Sequence, residues 1–320
     1  MSSDPAISRL TRGIEPPELR AIMMHCLDGS VSPAVTLMKL LIETEDASAT
    51  RAAVDEVTQR AATLSRATDS LLRDRVDDLT QMVIENETGC EKIAGMLRAN
   101  VDSPEPAESV EKGVAFCEQL FDWSVQQSPE ASVALYSLGN PQLLERATRE
   151  VVALLAQWKV TGPDRTVLDI GCGIGRIAAE LASHVREIHG IDVSGRMIDA
   201  ALRNCSGLAN VRLTKTSGHD LQDFADSSFD AAVAVDTFPY IHQSGPALVA
   251  KIFAECARVL RPSGDMVILN YSYSGTDESQ VEDVRRLASA NAMDVIVAGT
   301  RPFTIWDGAA FHLRKRAASA

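Results

Sequence analysis

The sequence predicts an α/β fold: a doubly wound, mostly parallel seven-stranded sheet with a terminal antiparallel strand, preceded by a helical domain. Three observations carry this. Before about residue 160, apolar residues recur every three or four positions and no β-like alternation dominates. Beyond Thr161-Gly162-Pro163, short β-branched runs alternate with helical stretches. A glycine-rich turn, Gly171-Cys172-Gly173-Ile174-Gly175, follows the first such run and opens a helix. The expected division is a helical domain over 1–145, serving as a cap, substrate-binding or dimerisation unit, and a sheet domain over 146–320.

In the helical half, Pro16-Pro17-Glu18 starts a helix running to Leu27, Gly29 breaks it, and Ser32-Pro33 begins the next. From 51 to 84 the spacing of Val54, Val57, Ala61, Leu64, Thr68, Leu71, Leu72, Val76, Leu79 and Val83 gives one long amphipathic helix or two stacked ones. Such a stripe packs inside its own chain or forms a dimer seam. Gly89 interrupts, a short helix carries Ile93, Met96 and Leu97, and 101–108, with Pro104 and Pro106, reads as a linker or ordered loop. Helical stretches follow at 110–127, 130–138 and 143–158. The expected strands are 166–170, 187–191, 211–214, 230–235, 266–271, 295–298 and 310–314, with helices near 175–184, 195–204, 246–260 and 279–290.

Composition narrows the function. Thirty-one basic against 44 acidic residues leave a formal net charge of -13, a field that repels nucleic-acid backbones and anionic lipid. Residues 1–160 hold 25 of the acids and 15 of the bases, so the helical half is the more acidic. The six cysteines form no close pairs, which leaves no iron–sulfur or zinc spacing, and the single histidines 189, 219 and 242 lack ligand-like spacing; no metal is expected. No apolar run reaches a membrane span and the start lacks a signal-like segment. The chain therefore reads as cytoplasmic, with neither nucleic acid nor membrane as partner.

The glycine turn by itself is weak evidence for a nucleotide. Its place between strand and helix strengthens it, because backbone amides there come close to a ligand. Asp192, in His189-Gly190-Ile191-Asp192, lies 21 residues beyond Gly171, where an acid grips both hydroxyls of an adenosine ribose. At this point the sequence states an adenosine cofactor in an α/β crevice.

The stretch Val167 to Gly175 resembles the first motif of the class I, Rossmann-like methyltransferases, which use GxGxG after a strand ending in an acid. The resemblance continues through Ile191-Asp192-Val193-Ser194, Gly218-His219-Asp220-Leu221, Ser228-Phe229-Asp230 and Ala257-Arg258-Val259-Leu260-Arg261-Pro262-Ser263-Gly264, covering about residues 160–315 in order. It implies S-adenosylmethionine as cofactor. By the same resemblance Asp169 orients the turn and places the amino group, Gly171 and Gly173 let the methionine part pass, and Asp192 takes the ribose. Val193 and Met197 neighbour the adenine; Asp220, with His219 as its rival and Leu221 beside it, faces the adenine amino group. Cys172 is a small filler in the turn rather than a nucleophile.

The acceptor is less legible. The sulfonium is already a strong methyl donor, so the protein aligns the attacking atom and, for a hydroxyl or protonated amine, supplies a base. The run Asp236-Thr237-Phe238-Pro239-Tyr240-Ile241-His242 after the fourth strand holds the candidates. Asp236 grips the methionine end or the acceptor, Phe238 and Tyr240 wall the pocket, and His242 is the one evident neutral base or else an exposed or cofactor-side residue; Phe238 and Ile241 also suit plain helix packing. Asn270, Tyr271, Tyr273, Trp306 and Asp307 are further pocket candidates, and Tyr136 either binds the cofactor carboxylate or simply packs its helix. Thr237-Phe238-Pro239-Tyr240 lacks the acid or amide and the proline pair of nucleobase amino methyltransferases, which weighs against base flipping. The expected activity is methyl transfer to an O or N atom of a small-molecule acceptor. A protein or carrier-bound substrate docked on the helical domain is the alternative, and that domain is a candidate homodimer contact.

Overall fold

The computed structural model describes residues 4–64, 69–99 and 107–317. Contacts group the chain into two units: Met1–Asp102 with Glu130–Ala147 and Thr304–Asp307, and Ser103–Pro129 with Thr148–Phe303 and Gly308–Ala320.

The first unit begins with α1 (Pro5–Leu10), α2 (Pro17–Leu27), α3 (Pro33–Thr44), α4 (Ala47–Ala61), α5 (Ser70–Glu85) and α6 (Glu87–Ala99). Helix starts follow from capping residues. Ser32 caps α3 by accepting from the Val35 amide, with Pro33 in the first turn, and Asp46 caps α4 by accepting from the Ser48 and Ala49 amides. The 51–84 stripe is two helices whose Val54, Val57, Val76 and Leu79 are all buried, and the Thr58 and Thr80 hydroxyls meet at 2.7 Å. Residues 65–68, on the stripe, and most of the expected 101–108 linker lie outside the described residues. Gly89 differs from its sequence reading: it sits inside α6 and does not interrupt it. A Cβ there would lie 1.9 Å from the Leu138 carbonyl oxygen, so the glycine answers close packing and not a helix break.

In the second unit, α7 (Val110–Gln127) groups with the sheet although it lies far ahead of the first strand. Next come α8 (Pro129–Val133) and α9 (Pro141–Gln157), each divided between the two units. Strands and crossover helices then alternate: β1 (Gly162–Ile170), α10 (Arg176–Leu181), β2 (Val185–Asp192), α11 (Gly195–Asn204), β3 (Val211–Lys215) and β4 (Phe229–Val235). After α12 (Phe238–Gln243) and α13 (Pro246–Val259) come β5 (Leu260–Leu269), α14 (Asp277–Ala290), β6 (Met293–Thr300) and β7 (Ala310–Lys315). The sheet order is β3-β2-β1-β4-β5-β7-β6, with β1 to β5 parallel and β7 antiparallel to both β5 and β6. This is the doubly wound sheet with an antiparallel end that the sequence predicts.

The central strands are apolar along their length because helices cover both faces. Leu168, Ala232, Phe253, Ile268 and Phe311 are buried in one continuous core. One difference matters for function. β5 ends at Leu269, so Asn270 and Tyr271, expected on the strand, stand just past its carboxyl edge.

At the opposite edge, Asp265 is fully buried and accepts from Arg165 at 2.7 Å, Arg314 at 2.8 Å and His312 Nε2 at 2.8 Å, while Trp158 stacks on the His312 ring at 5.2 Å. Burial pushes the Asp265 carboxyl up, but these donors outweigh it and hold it below its ordinary value. A depressed carboxyl contributes stability above its unfolded pKa and loses it as pH falls through the folded one. Asp265→Ala should therefore lower the unfolding free energy by about 2–3 kcal/mol at neutral pH. Urea titrations should show that deficit shrinking on acidification.

Candidate cofactor and acceptor site

β1 lies between β2 and β4, and the connections on its two sides run in opposite directions, opening a crevice at the carboxyl ends of the strands. The glycine turn occupies it. Gly171 has φ 70°, and a Cβ there would lie 2.3 Å from Thr237 Oγ1, so both conformation and space call for glycine. The Gly171 and Cys172 amides donate to the Ile191 carbonyl at 2.8 and 2.9 Å, and Thr237 Oγ1 donates to the Ile170 carbonyl at 2.9 Å. Cys172 is buried with its thiol pushed up by burial, which suits the filler role.

Two buried carboxylates flank this turn. Asp192 Oδ2 accepts from the Gly173 amide at 2.9 Å and Oδ1 from the Ser194 amide at 2.9 Å. Burial raises its pKa to about 6 against those amides, and the charge of Asp122 adds to the rise. Asp169, at the end of β1, is pushed up to about 7 by burial; the Arg176 guanidinium opposes this and Asp192 reinforces it. Among the described residues its Oδ2 has no hydrogen-bond partner. A buried, unpartnered carboxylate oxygen is uncommon and asks for a donor. An ammonium beside Asp169 and a diol beside Asp192 both match these acceptors, so the residues present fit S-adenosylmethionine.

On the adenine side, Val193 and Val114 of α7 both press on Gly218, whose Cβ position lies 2.5 and 3.0 Å from their methyl groups. Met197 is buried, its amide donating to Ser194 Oγ at 3.0 Å. Asp220 pairs with Lys251 at 3.0 Å, and the His219 amide donates to Ser217 Oγ at 3.3 Å. Leu221 is buried and its amide donates to Glu255 at 3.0 Å.

The acceptor side lies at the ends of β4 and β5. Asp236 and Asn270 both adopt left-handed backbone, at φ 57° and 68°, a conformation costing roughly 1–2 kcal/mol per residue. Asp236 Oδ1 accepts from Asn270 Nδ2 at 2.7 Å and from the Tyr273 hydroxyl at 2.9 Å. The Tyr240 ring meets Tyr273 edge-on at 5.8 Å and Phe121 of α7 at 4.8 Å. Burial and the Asp236 charge push the Tyr240 phenol upward, and the Asp236 charge also raises Tyr273, which is 58% exposed, so both stay protonated.

His242 is not brought into this cluster. It is two positions from Tyr240 on α12, hence on another face, and its ring packs against Tyr271 at 4.8 Å. Burial lowers its pKa, opposed by Asp283. Phe238 is a core residue against Phe253 and Tyr271. Tyr136, Trp306 and Asp307 belong to the helical unit, where Tyr136 stacks on Trp306 at 5.5 Å and Asp307 pairs with Lys39 at 2.6 Å. Sequence reasoning missed Val114, Phe121 and Asp122, which belong to no motif and left no local signal. Among the described residues no group of three or more His, Cys, Asp or Glu is placed to hold a metal, and no helix is long and apolar enough to cross a membrane.

Comparison with known proteins agrees with this geometry. Residues 167–264 match the family model described as a methyltransferase domain. The demethylmenaquinone methyltransferase of Tropheryma whipplei is 33% identical over 107 residues, covering 33% of this chain and 42% of that protein. An O-methyltransferase of Pyrenophora dematioidea is 30% identical over 149 residues, covering 46% of this chain and 50% of its own. The chain thus spans about half the length of the curated relatives it matches. Phosphoethanolamine N-methyltransferase 1 of Haemonchus contortus shares the fold, with a TM-score of 0.53 at 17% identity over 66% of this chain and 50% of that one.

Two measurements test the carboxylates. Asp192→Ala should weaken binding of S-adenosylhomocysteine by about 1–3 kcal/mol in calorimetry. Carboxyls raised to about 7 and about 6 favour the folded state below their unfolded pKa, and that contribution is lost as pH rises through the folded values. The ligand-free protein should therefore melt lower at about pH 8 than at about pH 5, and Asp169→Asn should flatten part of that difference.

Proposed function

We propose that this chain, which carries a class I S-adenosylmethionine-dependent methyltransferase domain, moves the cofactor's methyl group to an oxygen or nitrogen of a small-molecule acceptor. The observation that carries the reading is the pair of buried carboxylates flanking the glycine turn, one of them with an unpartnered oxygen, next to a second polar cluster at the ends of β4 and β5. In this reading Asp169 receives the cofactor's amino group, Gly171 and Gly173 let the methionine part pass, and Asp192 takes the ribose diol. Val193 and Met197 lie along the adenine, with Asp220 or His219 at its amino group. The bound cofactor supplies a methyl group already activated on a sulfonium.

This chain's own residues then align the acceptor and remove its proton. Asn270 and Tyr273 hold Asp236 in its left-handed pose, and Tyr240, Tyr273 and Phe121 form an aromatic wall beside it. The protonated Tyr240 phenol donates to the acceptor and fixes its orientation, so that the attacking atom meets the methyl in line. An acceptor hydroxyl gives its proton to the Asp236 carboxylate as the new bond forms, whereas an ammonium gives its proton up before the freed nitrogen lone pair attacks. In both cases the methyl–sulfur bond pair stays on sulfur. His242, packed against Tyr271, backs the pocket and takes no proton. The relatives' printed names, an O-methyltransferase and a demethylmenaquinone methyltransferase, support an acceptor of small-molecule size.

Incubating the protein with methyl-labelled cofactor and a metabolite extract should place label in low-mass products, read by mass spectrometry. Label confined to macromolecules would overturn the small-molecule reading. With the acceptor found this way, Asp236→Asn should slow transfer by about 100-fold, whereas His242→Ala should keep its rate across pH.

A further inference from the structure

Helix α7 lies ahead of the residues that match the methyltransferase family model, yet it groups with the sheet and touches both halves of the candidate site. On the cofactor side, Asp122 Oδ1 accepts from Ser194 Oγ at 2.6 Å and from the Arg196 amide at 3.1 Å. Ser194 is fully buried. Its hydroxyl caps α11 by accepting from the Met197 amide at 3.0 Å, and its own amide donates to Asp192 Oδ1 at 2.9 Å. A hydroxyl has one proton to give, and here Asp122 receives it. The chain of contacts runs from Asp122 through Ser194 to Asp192, and from Asp192 to the glycine turn.

A carboxylate at the start of α11 is favoured by the helix dipole, but it also sits close enough to Asp192 to oppose its ionisation. The arrangement keeps two acids close together, which solubility and simple packing do not require. On the acceptor side, the preceding residue, Phe121, meets Tyr240 edge-on at 4.8 Å. Near the start of α7, Gly113 packs on Ser244, just past α12; a Cβ there would lie 2.6 Å from the Ser244 hydroxyl. One continuous helix thus spans from the ribose loop to the acceptor wall.

We propose that Asp122 is a positioning residue for the cofactor: it latches α7 to the loop after β2, holds Ser194 and through it Asp192 in the diol-binding pose, and couples cofactor binding to the acceptor wall on α12. The inference rests on the reading that Asp192 holds the cofactor ribose. Its role is hydrogen bonding at a fixed distance, so a neutral amide of the same shape performs it and a methyl group does not.

Calorimetry with S-adenosylhomocysteine on the full chain separates the possibilities. Asp122→Ala should raise the dissociation constant about tenfold, and Asp122→Asn should stay within about twofold of the parent, because its amide oxygen still accepts from Ser194. Hydrogen exchange supplies a second readout: S-adenosylhomocysteine should protect α12 in the parent and in Asp122→Asn but not in Asp122→Ala. Failure of the parent protein to bind S-adenosylhomocysteine would overturn the cofactor reading itself. A folded Asp122→Ala that binds like the parent and still protects α12 overturns the latch and leaves that reading standing. An Asp122→Asn as weak as Asp122→Ala also overturns it, since charge would then matter and not the hydrogen bond. Should Asp122→Ala fail to fold, exchange in the parent decides: α7 unchanged by S-adenosylhomocysteine overturns the proposal.

Discussion

The carboxylate of Asp192 joins two loops that arrive from different strands, accepting from the Gly173 amide after β1 and from the Ser194 amide after β2. Both loops would otherwise expose amides at the sheet's carboxyl edge with nothing to orient them. With the carboxylate in place the glycine turn closes against β2, α11 starts at Ser194, and the α7 helix finds a hydroxyl to dock on. The geometry of these two loops therefore depends on one buried acid.

Such an arrangement is expensive in isolation. Burial strips both Asp169 and Asp192 of hydration and raises the pKa of both, while the charge of Asp192 adds to the rise at Asp169 and that of Asp122 to the rise at Asp192. A fold selected for stability alone would place apolar side chains there. Among the described residues the Asp169 Oδ2 oxygen has no hydrogen-bond partner, and in the proposed reading the cofactor's ammonium supplies one.

The acceptor edge follows a different logic. There the backbone, not a carboxylate, carries the strain, with Asp236 and Asn270 side by side in left-handed conformation. Short polar side chains tolerate that conformation better than others, and here they bond to each other and to Tyr273. Beside this pair, Tyr240 meets Phe121 and Tyr273 edge-on. In the proposed reading, the acceptor meets α12 and α7, and the cofactor meets the ends of β1 and β2.

Much of this was legible in the residues alone. The alternation of β-branched runs and helical stretches set the sheet, and Gly171, Gly173, Asp169 and Asp192 declared themselves because a tight turn and a buried acid at a strand end demand particular residue types at fixed spacing. Capping residues such as Ser32 and Asp46 announced their helices in the same way, through bonds to neighbours two or three residues on. Only the tertiary structure decided what lies far apart in the chain. It put α7 with the sheet and brought Asp122 to Ser194, 72 residues away. It turned His242 toward Tyr271 and away from Tyr240, kept Gly89 inside a helix, and set Asn270 past the end of β5. The reason is the range of the forces: turns and caps are satisfied by near neighbours and leave a local pattern, while side-chain docking between distant elements is settled by packing that no short window of sequence records.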